Sequence, residues 1–321
     1  MADGGSTARR VGAVTAAYAA GLVALGGAAA GVVLVEARLA RRWVGRPFGS
    51  EGPDADGVYG AGPGRVLVLG VLGDSSADGL GAQTPAQTPG AIVATGLAAV
   101  SGRRVRLVNR AVVGAGSADL DGQVGRLLAE VPAPDVVLVM VGANDVTHRV
   151  RPADAARHLS GALRRLRAAG AEVVVGTCPD LGVVEPVAQP LRAIARRWAR
   201  DLAAAQTVAV VEAGGRSVSL GDLLGPEFSA APAEMFSADR FHPSPAGYAR
   251  AAAVLLPAVC ASLGLWPEPP SAGAEGRVVP VAEAAAAAAE SPGTEVEAAH
   301  RDGAVRGPLG AWARLRRRAE R

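Results

Sequence analysis

Short apolar segments alternate with amphipathic helical patterns through the middle of the chain, and this alternation limits the fold more than any other feature. The strand-like segments are Arg65–Leu72, Val105–Val113, Asp135–Val141, Glu172–Thr177 and Thr207–Glu212. The helical patterns are Ser117–Glu130, Pro152–Ala169, Leu191–Ala205 and Ala246–Leu263. The strand-like segments are apolar almost throughout, which is typical of strands buried on both faces. The sequence therefore predicts an α/β domain whose five-stranded parallel sheet is covered by helices on both sides.

Residues able to do chemistry follow the predicted strands directly, where parallel sheets bind their ligands. Ser75 follows the first strand and a glycine that permits a tight turn. Asp239 precedes His242 by three residues, a spacing that lets a carboxylate hold one imidazole nitrogen and leave the other free as a base. Taken alone, Ser75 is better explained as a helix N-cap, and the acid and histidine could form an ordinary loop salt bridge.

Acyl transfer also needs donors for the oxyanion of a tetrahedral intermediate. Gly114 follows the second predicted strand and can offer its N–H without a side chain in the way. Asn144 follows the third strand and can offer a side-chain NH2 group, while Ser75 can offer its own N–H. The simpler interpretations are a turn glycine and a polar cap.

Four short blocks together resemble the SGNH/GDSL hydrolase superfamily. In chain order they are Gly73-Asp74-Ser75-Ser76, Asn109 through Gly114, Gly142-Ala143-Asn144-Asp145, and Asp239-x-x-His242-Pro243. The resemblance implies a flavodoxin-like three-layer α/β/α fold, with Ser75 as nucleophile, His242 as base and Asp239 as the acid that orients it. It also implies Ser75, Gly114 and Asn144 as oxyanion donors. Ser76 departs from the leucine often found there, a position we expect to serve packing alone.

The N-terminal segment Val11–Val35 contains 25 residues without a charge. A bilayer core needs about 20 apolar residues in a helix, so residues 1–43 are interpreted as an uncleaved membrane anchor. A secretory signal peptide, cleaved near Ala28 and Ala30, is the alternative. Arginines flank the segment on both sides, so their distribution leaves the orientation open. The protein is therefore expected to be membrane-anchored through residues 11–35, or secreted.

The remaining segments differ in composition. Residues 44–64 are rich in Gly, Pro and Asp and are predicted to be a flexible linker. Residues 65–265 form the predicted hydrolase domain. Residues 266–321, with a long alanine run and few large apolar side chains, are predicted to be a disordered tail with a basic end.

Charge and composition exclude several classes of protein. The formal net charge is +3, from 33 basic and 30 acidic residues, and the central domain is close to neutral, so no nucleic-acid partner is expected. Two cysteines, Cys178 and Cys260, are too few for a disulfide scaffold. The sequence has no complete Walker A or dinucleotide fingerprint and no cluster of metal ligands, so neither a cofactor nor a metal is expected.

The leading hypothesis is a serine hydrolase that cleaves small-molecule, lipid or glycan acyl esters through an acyl-enzyme intermediate. An acyltransferase with the same site is an alternative, because the acceptor is not encoded in the catalytic residues. A third hypothesis, from another class, is a catalytically inert, membrane-attached binding protein.

Overall fold

The computed structural model describes most of the chain after residue 47. The described residues are 31, 35, 36, 48–184, 187–221, 228, 230–265, 276–291, 293–299 and 312–316. Within these ranges the strands are β1 (Gly57–Tyr59), β2 (Leu67–Gly73), β3 (Val105–Asn109), β4 (Val136–Met140), β5 (Glu172–Gly176), β6 (Arg216–Val218), β7 (Gly276–Pro280), β8 (Glu295–Ala298) and β9 (Trp312–Arg316). The helices are α1 (Ser75–Asp78), α2 (Pro89–Ser101), α3 (Leu120–Glu130), α4 (Ala143–Thr147), α5 (Pro152–Ala168), α6 (Leu191–Glu212), α7 (Pro232–Met235), α8 (Pro245–Ser262) and α9 (Val281–Ala289).

The described strands form one mixed sheet of nine, in the order β1-β3-β2-β4-β5-β6-β8-β9-β7. The five central strands, β3-β2-β4-β5-β6, are parallel to one another. Their order is that of flavodoxin-like sheets. Antiparallel strands extend both sides of this block, with β1 paired to β3 and β8 paired to β6. The prediction of a five-stranded, wholly parallel sheet is therefore wrong for the sheet as a whole, because segments outside the alternating region add strands at its edges.

Two apolar clusters lie on opposite faces of the parallel block. Leu69 and Val71 of β2 point into one of them, against α2 and α8. Leu72 of β2 points into the other, against residues of α3 and α5 such as Leu127 and Leu163. Successive side chains of a strand face opposite sides, and both sides are covered, which explains why the strands are apolar throughout. The helices on both faces agree with the predicted layering.

The predicted fifth strand, Thr207–Glu212, is instead the last part of α6, and the corresponding strand is β6. Its β-branched residues suggested a strand, yet they continue a helical stripe in which Ala203, Gln206, Thr207 and Val210 are all buried. The Thr207 hydroxyl donates to the carbonyl of Ala203, 3.0 Å away, a bond that threonine commonly makes within a helix. Burial on one face of α6 outweighs the strand preference of these residues.

The segments outside the predicted domain differ from expectation in the described residues. The predicted linker, residues 44–64, contributes β1. The predicted disordered tail, residues 266–321, contributes β7, α9, β8 and β9. The predicted membrane segment lies outside the described residues apart from Gly31 and Val35. Among the residues that the structure describes, no helix combines the length and apolarity needed to cross a bilayer.

Candidate active site

The turn that presents Ser75 depends on a glycine. β2 ends at Gly73, whose φ of +140° is a conformation that side chains rarely adopt. A Cβ atom at this position would lie 1.8 Å from the carbonyl oxygen of Met140 in the neighbouring strand β4. The next residue, Asp74, donates its backbone N–H to that same carbonyl, at 3.0 Å. At the end of β2 the backbone therefore lies in direct contact with β4, and only glycine fits at position 73.

Asp74, rather than Ser75, is the N-cap of the short helix α1. Its carboxylate accepts from the backbone N–H of Ser76 at 2.9 Å, and Ser75 is the first helical residue. Asp74 is buried, and this burial raises its pKa to about 6, although the bonds from Ser76 and the nearby His242 act in the opposite direction. The capping role expected for a serine thus belongs to its neighbour, which leaves the Ser75 hydroxyl available.

The structure brings Ser75, His242 and Asp239 together in one hydrogen-bonded line. Ser75 Oγ lies 2.9 Å from His242 Nε2, and His242 Nδ1 lies 2.6 Å from Asp239 Oδ2. The other oxygen of Asp239 accepts from the backbone N–H groups of Phe241 and His242, each at 3.0 Å. The histidine is therefore held through one ring nitrogen while the other faces the serine hydroxyl.

The carboxyl group of Asp239 is almost wholly buried, which by itself disfavours its charged form. The hydrogen bonds from His242 and from the two backbone N–H groups outweigh this burial, and the pKa of Asp239 is lowered from its ordinary value. Asp239 is thus an ionised partner for the imidazole over the neutral pH range. Beside it, the ring of Phe241 packs edge-on to that of His242, with ring centroids 5.0 Å apart.

The loop that contains Gly114 is joined to the start of helix α4, which contains Asn144. Asn144 Nδ2 donates to the carbonyl of Ala115, the residue after Gly114, at 2.9 Å. A side-chain amide carries two N–H protons. This bond uses one of them and leaves the second available as a donor. The adjacent Asp145 accepts from the hydroxyl and backbone N–H of Ser117, at 2.7 and 3.1 Å. Consecutive residues of α4 therefore fix the loop that contains Gly114.

The space beside Gly114 is open, whereas the turn at Gly142, before Asn144, is closely packed. Gly114 has a φ of +85°, and a Cβ atom there would meet nothing within 4 Å. Gly142, before Asn144, has a φ of +143°, and a Cβ atom there would lie 2.7 Å from that of Cys178. Cys178 therefore packs beneath this turn. It is buried, and this burial raises the pKa of its thiol well above the ordinary value.

Two buried glutamines that the sequence analysis missed brace the strand ends. Gln123 of α3 accepts from the N–H of Gly73 and donates to its carbonyl, both at 2.8 Å. Gln206 of α6 accepts from the N–H of Cys178 at 2.7 Å and donates to the carbonyl of Val141 at 2.9 Å. Neither side chain is exposed to solvent. The sequence did contain a signal for Gln123, because this polar residue lies on the apolar stripe of its helix, between Leu120 and Leu127.

Metal-ligating side chains do not cluster in the described residues. Within that part of the chain, no group of three or more His, Cys, Asp or Glu side chains could hold a metal ion. Cys178 and Cys260 are both buried.

A serine, a histidine and an aspartate in this arrangement, on a sheet of this order, define the class of serine hydrolases. The profile of the GDSL-like lipase/acylhydrolase family matches residues 71–250, more than half of the chain. The chain therefore belongs to this family and, with it, to the carboxylic ester hydrolases.

Individual proteins resemble the chain to different degrees. The chain is 47% identical over 214 residues to the GDSL-like esterase Rv1075c of Mycobacterium tuberculosis, a match that covers 64% of this chain and 68% of that protein. Among solved structures, TesA has a TM-score of 0.48 and 26% identity, over 62% of this chain and 99% of that one. A single-residue variant of Axe2, an acetyl-xylooligosaccharide esterase from Geobacillus, has a TM-score of 0.47 and 21% identity, over 62% and 94%.

Proposed function

We propose that this protein hydrolyses acyl esters through a covalent acyl-enzyme formed on Ser75. The observation that carries the proposal is the continuous line from Ser75 Oγ to His242 Nε2, at 2.9 Å, and from His242 Nδ1 to Asp239 Oδ2, at 2.6 Å. Serine is a weak nucleophile until a positioned base takes its proton. The 2.9 Å contact is within the reach that such a transfer requires.

In the proposed first step, Ser75 Oγ attacks the ester carbonyl while His242 Nε2 takes the hydroxyl proton. Asp239 holds the imidazole in the tautomer that leaves Nε2 unprotonated, and it stabilises the imidazolium that forms. His242 then gives the proton to the departing alcohol. In the second step, water loses a proton to His242 and attacks the acyl carbon. His242 returns that proton to Ser75 Oγ as the bond to the acyl group breaks, which releases the acid and regenerates Ser75.

The tetrahedral intermediates of both steps carry a negative oxygen. We assign the donors for this oxygen to the backbone N–H groups of Ser75 and Gly114 and to the second N–H of Asn144. The bond from Asn144 to Ala115 supports this assignment, because it orients the amide and joins α4 to the loop that contains Gly114. Removing one such donor typically lowers kcat by about 100- to 1,000-fold.

The decisive test replaces Ser75 by alanine and measures hydrolysis of p-nitrophenyl acetate. We expect the rate to fall by about 1,000-fold or more, because catalysis without a nucleophile retains only the contribution of the oxyanion donors. A fluorophosphonate should label the wild-type protein and leave Ser75→Ala unlabelled. Ser76→Ala is the matched control, because Ser76 is next in the chain and alanine keeps the backbone N–H that donates to Asp74. This control removes only the Ser76 hydroxyl, which also bonds to Asp74. Wild-type turnover by Ser75→Ala would refute the proposal.

The substrate is proposed as a small-molecule or lipid acyl ester, and residues 11–35 are proposed to hold the domain at a membrane. The support for attachment is the uncharged sequence of that segment. Replacing both Leu22 and Leu25 by arginine in the full chain should move the protein from the membrane fraction to the soluble fraction. An unchanged distribution would refute attachment through this segment.

The preferred substrate is a separate question. Rates of hydrolysis measured with a panel of esters of increasing acyl length would define it.

A further inference from the structure

The segment before the hydrolase domain, which the sequence predicted to be a flexible linker, lies tightly against that domain. We call residues 52–62 the strap. A Cβ atom at Gly52 would lie 2.4 Å from the carbonyl oxygen of Asp78, and one at Gly62 would lie 1.9 Å from that of Gly102. Between these two close approaches, Ala55 is buried in the core beside β2 and β3, and β1 pairs with β3. The strap is therefore attached along its whole length.

The strap contacts the start of the loop that leads from β3 to Gly114. Asp56 Oδ1 accepts from the backbone N–H of Asn109 at 2.6 Å, and Asp56 Oδ2 contacts Arg110 Nη1 at 2.7 Å. Asn109 is the last residue of β3, and the loop that follows it leads to Gly114. Asp56 thus fixes the point at which this loop leaves the sheet.

Asn109 passes this restraint to the nucleophile. Its side-chain amide donates to the carbonyl of Ala77 at 3.4 Å and accepts from the N–H of Ala111 at 2.9 Å. Ala77 lies in α1, two residues after Ser75. The loop is held further along as well, because the N–H of Val112 donates to the carbonyl of Gly73 at 3.1 Å. Asn109 therefore contacts the strap, helix α1, which begins at Ser75, and the loop that leads to Gly114.

The start of the strap touches the same helix. The N–H of Gly52 donates to Asp78 Oδ2 at 2.5 Å. Asp78 ends α1, so this short helix is contacted by the strap directly and, through Asn109, a second time. The family match begins at residue 71, after the strap.

We propose that the strap is required for full catalytic activity. Its Asp56 acts as a positioning residue that sets the relative placement of Ser75 and Gly114. The inference rests on the proposed function, because it assumes that these residues act as nucleophile and oxyanion donor. Asp56 touches no reacting atom, and its effect passes through the Asn109 peptide. Small displacements at a reacting centre are costly, since a shift of about 1 Å can lower the rate by about 100-fold.

The structure offers a closely matched control in Glu130. Arg110 is shared between two carboxylates, because its other terminal nitrogen contacts Glu130, which also pairs with Arg106. The carboxylates of Asp56 and Glu130 are similarly exposed, at 32% and 36%. Removing either one takes a single salt bridge from Arg110, but only Asp56 also holds the backbone of Asn109. Comparing the two variants therefore separates loss of a surface ion pair from loss of loop positioning.

The experiment measures kcat and KM for p-nitrophenyl acetate in the full chain, with rates divided by the concentration of sites that a fluorophosphonate titrates. For Asp56→Ala we expect kcat per titrated site to fall about tenfold with KM nearly unchanged, because the lost restraint acts on the transition state rather than on ground-state binding. Glu130→Ala should stay within about twofold of the wild type, since exposed ion pairs contribute little. Asp56→Asn, which keeps an acceptor for the Asn109 N–H, should recover most of the rate.

Several results would overturn the inference. One is an equal kcat per titrated site in Asp56→Ala and the wild type, which would make the strap a structural element alone. Another is an equal loss in Asp56→Ala and Glu130→Ala, which would assign the effect to the charge of Arg110. If Asp56→Ala does not fold, Asp56→Ser is judged by the same criteria. Failure of the fluorophosphonate to label the wild-type protein would instead refute the proposed function, which keeps the two failures distinguishable.

Discussion

The turn that carries Ser75 and the turn that carries His242 are held in place in opposite ways. The serine turn is fixed by distant parts of the chain, since Met140 of β4 and Gln123 of α3 bond to its backbone. The histidine turn is fixed mainly by its own residues. The N–H of Ser237 donates to the carbonyl of His242 at 2.8 Å, and Asp239 accepts from the two residues that follow Arg240.

Behind the catalytic line, two hydrogen bonds connect the segment after α1 with residues on either side of the histidine turn. Ser237 Oγ donates to the carbonyl of Gly81 at 3.1 Å, and the buried hydroxyl of Tyr248 donates to that of Leu80 at 2.7 Å. The serine position thus depends on the whole sheet, whereas the histidine and its acid form a local unit docked onto it. This difference predicts that substitutions in the sheet misplace the serine, while the acid and histidine keep their mutual geometry.

The largest effect is expected at Gly73. Gly73→Ala would place a methyl group 1.8 Å from the Met140 carbonyl and would strain a backbone with a φ of +140°, so β2 and β4 could not stay paired at this point. We expect little soluble protein and no fluorophosphonate labelling of what remains. Gly102→Ala is the control, because its φ is also positive, at +63°, but the space around it is open. A soluble and fully labelled Gly73→Ala protein would contradict the proposed dependence of the serine on the sheet.

A smaller effect is expected at Gln123. Gln123→Leu would leave the buried N–H of Gly73 without its partner, while the carbonyl would keep only the bond from Val112. A buried group left without a partner costs about 1–3 kcal/mol of stability. Urea unfolding should show this loss, and kcat per titrated site should fall as well. Gln206→Leu removes the same number of bonds between β4 and β5, and we expect a similar loss of stability with a smaller fall in kcat. Equal falls in kcat would show that the serine turn has no special dependence on its brace.

The smallest effect is expected in the pH dependence of stability. The pKa values of the two acids, Asp74 and Asp239, shift in opposite directions. The pKa of Asp74 is raised from 3.8 to about 6, so its ionisation lowers stability as pH rises from 3.8 to about 6. The pKa of Asp239 is lowered below 3.8, so its contribution to stability is present above that pH and is lost as pH falls through its folded-state pKa.

Unfolding free energies measured from about pH 3 to about pH 7 test this contrast. Relative to the wild type, Asp74→Asn should become more stable as pH rises from 3.8 to about 6. Asp239→Asn should be destabilised at neutral pH and should approach the wild type in acid. Parallel pH profiles for the two variants would mean that the two turns do not differ electrostatically.

The same contrast explains what the sequence could predict. Asp239 and His242 were identified together because their contact lies within four residues, and Ser75 was identified because a motif and a strand end coincide there. The parallel strands could be predicted because burial on both faces makes them uniformly apolar. The part of helix α6 beyond Ala205 was predicted as a strand because its buried stripe contains β-branched residues, which are typical of strands.

Gln123 and Asp56 could not be predicted, because their partners are distant in the chain. Gln123 meets Gly73, fifty residues away, only after α3 packs on the sheet. Asp56 meets Asn109 only when β1 pairs with β3. Both residues act on the backbone of other segments. An amide on an apolar stripe marks Gln123 as unusual, but a single sequence does not reveal which backbone group it binds.

The antiparallel strands at the two sides of the parallel block also bear on how the protein can be shortened. Strands β1 and β8 pair with the outer parallel strands β3 and β6, which would otherwise present unpaired N–H and C=O groups. Open edges of this kind recruit strands from other molecules and promote aggregation. A fragment trimmed to the family match at residues 71–250 would uncover both edges. A truncated version intended for crystallisation or screening should therefore keep the flanking strands on both sides, from residue 52 to residue 316, because β8 is itself paired with β9.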